Sequence, residues 1–422
     1  MTDPMEERLR AALRAQADDV APSQPDWDEL VAAPRARSGT RSGLRGGVRR
    51  GMWLAIAAAA LALLVPIAFV AGYLGRSSRL TVSGGGLPAG GDGGGGTAAP
   101  GPPDTALPDG FSPGSITRIS LKTAWVLGTA PCGAEACATL ARTRDGGATW
   151  HAVPVPPAIA GSGTAAVSRV RFANATDGWL FDPELWATHD GGSTWHQLGG
   201  LAGAVTSLEA ADGRAWDLVG AGGVSATAFT TPVGSDAWQP AGAAVASSGI
   251  AISLHGSSGM AGTPDGAVLA LGSGRAEVRG TPCESGDELS ALAVVDDTDA
   301  VALCAGDAGA GSSTKTIRAS EDGGRTWSTA GTAPRSGQPA GLATASDHTM
   351  VLAATSGASF LYRSTDAGAT WSQVFQQPGG APLVDLGFTD ATHGVVVIGQ
   401  APESSLLVST DAGATWSAQA FG

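Results

Sequence analysis

The sequence predicts an all-β fold, a seven-bladed β-propeller, set behind one transmembrane helix and a short cytoplasmic helical segment. A nine-residue stretch carries the prediction because it is written five times: "RTRDGGATW", "ATHDGGSTW", "ASEDGGRTW", "RSTDAGATW" and "VSTDAGATW". Its aspartates, Asp145, Asp190, Asp322, Asp366 and Asp411, are spaced by 45, 132, 44 and 45 residues. The long gap is three periods of 44, so two degenerate units are expected inside it. A second phase gives the same count. Seven short β-runs, from "ITRISLKTAWVLG" to "LVDLGFTDATHGVVVIG", precede the turns, and the residues aligned in them (Trp125, Trp179, Trp216, Met260, Val301, Met350 and Val395) average 45 apart. A period near 45 with several short strands per unit marks propeller blades, whereas stacked solenoids repeat at shorter intervals.

The elements follow in chain order. In residues 1–51, "MEERLRAALRAQADDV" places Met5, Leu9, Ala12 and Leu13 on one helical face, with acids early. "PSQPDWDELVAAP" breaks that helix and starts a second short one near Trp27 and Leu30. Some fifty residues hold a docking helix but not an independent core. Residues 52–74, "MWLAIAAAALALLVPIAFVAGYL", carry no charge; at a rise of 1.5 Å per residue they make a helix of roughly 35 Å, enough to cross a hydrocarbon layer of ~30 Å. Arg35, Arg37, Arg41, Arg45, Arg49 and Arg50 precede it without an intervening acid, which holds the N-terminus in the cytoplasm. The leader is too long, and the apolar run too extended, for a cleaved signal peptide. The protein is therefore expected in the cell membrane as a single-pass chain, its propeller extracytoplasmic. Residues 75–111, rich in Gly and Pro, read as a flexible tether. Residues 112–422 carry the seven units.

Within a unit four strands are expected. In the second they are "VSRVRF", "GWLF", "LWATH" and "TWHQL". Of the two degenerate units, one keeps "TPVGSDAW" (Thr231 to Trp238) and the other has lost the stretch near Glu277 to Cys283. No spare strand is left to complete a split blade, so closure is expected to rest on blade 1 packing against blade 7.

The repeated pattern, Ser/Thr-x-Asp-x-Gly-x-Thr-Trp, falls where the third strand of a unit turns into the fourth. A short acid there accepts bonds from the turn's own amides. The glycines Gly147, Gly192, Gly324, Gly368 and Gly413 supply positive φ. The tryptophans Trp150, Trp195, Trp327, Trp371 and Trp416 cover the apolar gap beside each turn. This pattern resembles the Asp-box, or BNR repeat, of sialidases, sortilin-type receptors, some xyloglucan-cleaving glycosidases and the photosystem II assembly-factor family. The resemblance covers about 310 residues. It implies the propeller fold, and it implies that the boxes are structural rivets at the blade periphery, away from any chemistry.

All four cysteines follow the apolar run, as in a protein of an oxidising compartment. Three pairings are possible, and nearness in sequence favours Cys132–Cys137 and Cys283–Cys304. From Arg79 onward there are 30 acidic and 15 basic residues, a balance that repels phosphate backbones and excludes nucleic acid as a partner.

Catalytic readings fare poorly. The sialidase resemblance implies a tyrosine nucleophile and three arginines, yet Tyr362 is the one tyrosine of the folded outer region, on a strand feeding a box. The nearest counterpart of that family's Arg-Ile-Pro signature is Arg118-Ile119-Ser120. The xyloglucan-cleaving relatives build their cleft between two propellers, and one is present here. Gly110 to Gly114 matches a nucleophile elbow, but Pro113 has no N–H for an oxyanion hole. Asp296, Asp297 and Asp299 read as a solvated turn in preference to a hard-cation loop. His151 and His196, each alone on its blade, read as surface strand residues and not as ligands. No catalytic, cofactor-binding or metal residue is assigned. The leading expectation is a membrane-tethered binding or scaffold module for an envelope protein or cell-wall glycan. Two alternatives stand beside it. One is a transmembrane signalling protein in which residues 1–33 engage a cytoplasmic partner, by resemblance to membrane anti-sigma factors; the other is a glycoside hydrolase of sialidase type.

Overall fold

The structure is a computed structural model, and it describes residues 83–84, 105–133, 135–160, 166–201, 203–221, 225–242, 251–263 and 266–421. The segments read as cytoplasmic helix and transmembrane span, 1–51 and 52–74, lie outside the described residues. Among the described residues no helix is long and apolar enough to cross a membrane.

Seven antiparallel sheets follow one another along the chain, each a four-strand meander. The first strand of each, strand a, is Ser112–Arg118, Val167–Phe172, Ala204–Ala211, Ile252–His255, Glu288–Val294, Gln338–Thr344 and Leu383–Phe388 in blades 1 to 7. Each strand a touches the strand a of the next blade, and that of blade 7 returns to that of blade 1. The sheets therefore close into a seven-bladed propeller with the a strands around its centre.

Sequence explains the radial order. Strands b lie between neighbouring blades and are buried on both faces, so they read as continuous apolar runs such as "GVVVI" at Gly394–Ile398. Strands d lie outermost and are largely exposed, two residues long at His196–Gln197 and Ser417–Ala418 but seven at Ser372–Pro378. The core is correspondingly divided into layers between blades. Trp125 and Leu140 of blade 1 meet Val170 and Phe172 of blade 2, with the Trp125 and Phe172 rings stacked at 3.8 Å. Val126 and Ala141 of blade 1 meet Val397 and Leu406 of blade 7, which closes the ring as expected.

Three details depart from the sequence reading. Thr105–Ala106, inside the stretch read as tether, pairs with the outer strand of blade 1 and makes that sheet five-stranded. Ser83–Gly84 pairs in parallel with strand a of blade 7. In blade 4 the turn between strands c and d lies at Gly272 to Arg275, ahead of the expected Glu277 to Cys283. Ser273 and Gly274 both take positive φ there, 51° and 75°, the conformation of a two-residue hairpin that needs no longer motif. Both disulfides form as expected. Cys132–Cys137 staples the hairpin between strands b and c of blade 1, and Cys283–Cys304 ties the connection from blade 4 to strand b of blade 5.

Candidate functional site

The five repeated turns share one geometry. In the last copy Ser409 Oγ donates to Asp411 Oδ1 at 2.9 Å and accepts from the Gly413 amide at 2.9 Å. Asp411 Oδ1 accepts from the Thr415 amide at 2.9 Å, and Oδ2 from the Thr415 hydroxyl at 2.6 Å. The same bonds recur around Asp145, Asp190, Asp322 and Asp366. The Thr415 hydroxyl and amide hold the Asp411 carboxyl down at about 2; the Thr326 amide and hydroxyl do the same for Asp322, also to about 2. Each turn also donates one amide to the a–b turn of its own blade: Gly146 to Lys122, Gly191 to Thr176, Gly323 to Thr298, Ala367 to His348 and Ala412 to Thr392. In four copies the tryptophan indole N–H donates to the box glycine carbonyl. In blade 1 that carbonyl, on Gly147, instead accepts from Gln419 Nε2 of blade 7 at 2.9 Å. The oxygens of these acids are thus committed to their own loops.

A second constellation lies on the a strands. Asp385 of blade 7, buried, accepts from Ser115 Oγ at 2.6 Å and from the Ile116 amide at 2.9 Å, both of blade 1. Its other oxygen meets Arg169 Nη1 at 3.2 Å and Arg171 Nη2 at 3.0 Å, of blade 2. Arg171 Nε in turn bonds Glu209 Oε1 of blade 3 at 2.7 Å. Burial alone would raise the Asp385 carboxyl, but the two guanidiniums outweigh it and hold the group well below the ordinary range. For Glu209 burial wins over Arg171, and the carboxyl is pushed up to about 7. Four blades are stitched by one ion network. The sequence reading did not single it out, although charges inside the apolar runs "VSRVRF", "TSLEAA" and "LVDLGF" are its visible trace.

This geometry bears on the sialidase alternative. Arg118 Nη2 donates to the Leu121 carbonyl in the a–b turn, whereas Arg169 and Arg171 spend their charge on Asp385 and Glu209. Tyr362 is buried against Phe360, with its hydroxyl donating to the Ser336 carbonyl.

The third feature is a concavity on the face that carries the a–b and c–d turns. Asp212, His255, Gly256, Ser257, Asp296, Asp297 and Thr298, from the a–b turns of blades 3, 4 and 5, line a space of about 510 Å³. Asp296 Oδ1 accepts from the Thr298 and Asp299 amides at 2.8 and 2.7 Å, and these amide bonds lower its carboxyl. Asp297 and Asp212, both exposed, line the same concavity. The triad Asp296, Asp297 and Asp299 is therefore a turn, as read from the sequence, and two of its acids, Asp296 and Asp297, also line a concavity that spacing did not reveal. One sequence reading needs correction. His196 is not alone: it lies beside His189 and, across the blade boundary, Asp236.

A scan against protein-family models and a search of curated proteins find no match. Solved structures do match. YCF48 bound to D1 peptide is 20% identical, with a TM-score of 0.52 over 73% of this chain and 99% of that one. YCF48 from Cyanidioschyzon merolae is 18% identical, with a TM-score of 0.50 over 73% and 98%. A prolyl endopeptidase structure is 11% identical, with a TM-score of 0.50, and the match spans 73% of this chain but 49% of that one. At these identities the likeness is one of fold.

Proposed function

We propose that the protein is a non-catalytic binding propeller, held at a membrane by residues 52–74, whose acidic turn face on blades 3 to 5 docks a basic segment of an envelope protein. The observation that carries the reading is the concavity itself, of about 510 Å³ and lined by Asp212, Asp296 and Asp297. Its size suits a few side chains of a peptide, and an acidic field draws a basic partner and repels an acidic one. A similar propeller, YCF48, has been solved bound to D1 peptide, which supports a protein segment over a glycan as the ligand. The five repeated turns are, in this reading, structural rivets of the frame, and the one at Asp322 holds the blade 5 turn of the concavity through the Gly323 amide and the Thr298 carbonyl. The central arginines do not converge on open space, which counts against an anionic sugar substrate.

Full-length protein in detergent, titrated with Lys/Arg-rich peptides and with soluble cell-wall glycan fragments, tests the proposal. Asp212→Asn with Asp297→Asn removes two charges while leaving the Asp296 turn bonds in place. Exposed ion pairs contribute up to about 1 kcal/mol each, so the double variant should bind basic peptide about tenfold more weakly. Glu135→Gln, on the blade 1 hairpin, should bind normally. Glycan binding, or peptide binding indifferent to both charges, would contradict the reading.

A further inference from the structure

We propose that His189, His196 and Asp236 form a surface site for a divalent transition metal of the zinc class, bridging blades 2 and 3. The three side chains come from different places in the repeat. His189 is the second residue of the blade 2 box and His196 follows its tryptophan. Asp236 belongs to the degenerate turn "TPVGSDAW" of blade 3. In that turn Val233 stands where the other copies have the structural aspartate, and an aspartate appears three positions later, where they have Ala148, Ser193, Arg325, Ala369 and Ala414. At that position Asp236 reaches the histidines of blade 2.

The donor atoms converge. His196 Nε2 lies 2.6 Å from Asp236 Oδ2, and His189 Nε2 lies 3.3 Å from Oδ1 and 3.4 Å from Oδ2. One ligand atom from each of the three residues can be chosen so that all lie within 4.8 Å of one another. Ligands about 2.0–2.1 Å from a tetrahedral zinc ion are themselves roughly 3.3 Å apart, a value that lies between the closest pair here, 2.6 Å, and the 4.8 Å bound on the widest, so side-chain rotation alone brings the set onto an ion. Two imidazoles and one carboxylate suit zinc, nickel or copper and not calcium or magnesium, which take oxygen ligands.

A second observation points the same way. His189 Nδ1 is 2.7 Å from Asp177 Oδ1, and Asp177 is itself fixed by Asn174 Nδ2 at 2.9 Å and Thr176 Oγ1 at 2.8 Å. A carboxylate behind the far ring nitrogen puts the proton on Nδ1 and turns the Nε2 lone pair outward, the arrangement that supports metal-bound histidine. Among the described residues His151, at the matching position of blade 1, belongs to no such group of potential ligands. Three protein ligands leave a fourth position open, and the site is exposed, so a water or a side chain from a docked partner completes the shell.

The test is a Zn²⁺ titration of untagged full-length protein against a chromophoric chelator, with melting curves to confirm folding of each variant. One ion per chain is expected. His196→Ala and Asp236→Ala should each weaken binding at least a hundredfold, Asp177→Asn about tenfold to a hundredfold through the outer shell, and His151→Ala not at all. Millimolar Mg²⁺ should not displace the ion. Absence of stoichiometric Zn²⁺ binding, retention of affinity in the folded His196→Ala and Asp236→Ala variants, or displacement by Mg²⁺ would each overturn the site.

Discussion

Gly413 combines two demands on one residue. Its φ is +78°, and a Cβ there would lie 2.5 Å from Val351 Cγ2 of blade 6. Left-handed backbone and close approach both exclude a side chain. Gly413→Ala should therefore lower the unfolding free energy by about 2–3 kcal/mol, while Gly357→Ala, whose Cβ would meet nothing within 4 Å, should change it little; denaturant melts compare the two. Asp217 makes the opposite case. It is fully buried on strand b of blade 3, and neither carboxylate oxygen has a hydrogen-bond partner within ordinary geometry. Burial pushes its carboxyl well above the usual range, with the Phe229 amide opposing only weakly. A carboxyl raised on folding loses stability as pH climbs past the unfolded value, about 4, because the unfolded chain ionises first. Asp217→Asn and the wild type should differ least near pH 3.5, and the variant should gain by about 1–3 kcal/mol toward pH 7. A pH-independent difference would contradict this account. At this scale the repeated turns were legible because the hydroxyl and amide partners of each aspartate lie within the same nine residues. The His189, His196 and Asp236 group was not, because blade stacking alone brings Asp236 to blade 2.

Among the elements, the seam between blades 7 and 1 differs from the other six. Phe421 sits 5.0 Å from both Phe111 and Trp150, and Gln419 takes the Gly147 carbonyl, so residues 419–421 fasten blade 7 to blade 1 beside the short pairing of Ser83–Gly84 with strand a of blade 7. Phe421→Ala should lower stability by about 1–3 kcal/mol, and hydrogen exchange should rise first in strands a of blades 1 and 7. Uniform exchange across the blades would argue against a weak seam. Strand b is most readable where burial on both faces leaves a continuous apolar run, as at Gly394–Ile398. Strands d were harder, being two or three residues long in several blades. The hairpin of blade 4 was misplaced because Ser273 and Gly274 make the turn without the nine-residue motif, and Thr105–Ala106 was read as tether because a two-residue edge strand leaves no pattern.

For the molecule as a whole, the repeated turns of blades 1, 2, 5, 6 and 7 each hold the a–b turn of their own blade, and the Asp385, Arg169, Arg171 and Glu209 network ties strands a of blades 7, 2 and 3 to one another. These contacts stiffen the frame, and the recognition proposed above falls to the turns of blades 3 to 5. Sequence periodicity sufficed for the frame, since every blade repeats it. It was silent on the concavity, which is assembled from one turn each of blades 3, 4 and 5. The most direct measurement is in-cell photo-crosslinking of the full-length chain, with a reactive residue at Ser257 in the concavity or at Leu30 in the N-terminal segment, read by mass spectrometry. The account predicts that position 257 crosslinks to a basic segment of an envelope protein and that Asp212→Asn with Asp297→Asn abolishes most of the product. Crosslinks confined to position 30, joining a cytoplasmic transcription factor, would contradict it and move the function inside the cell.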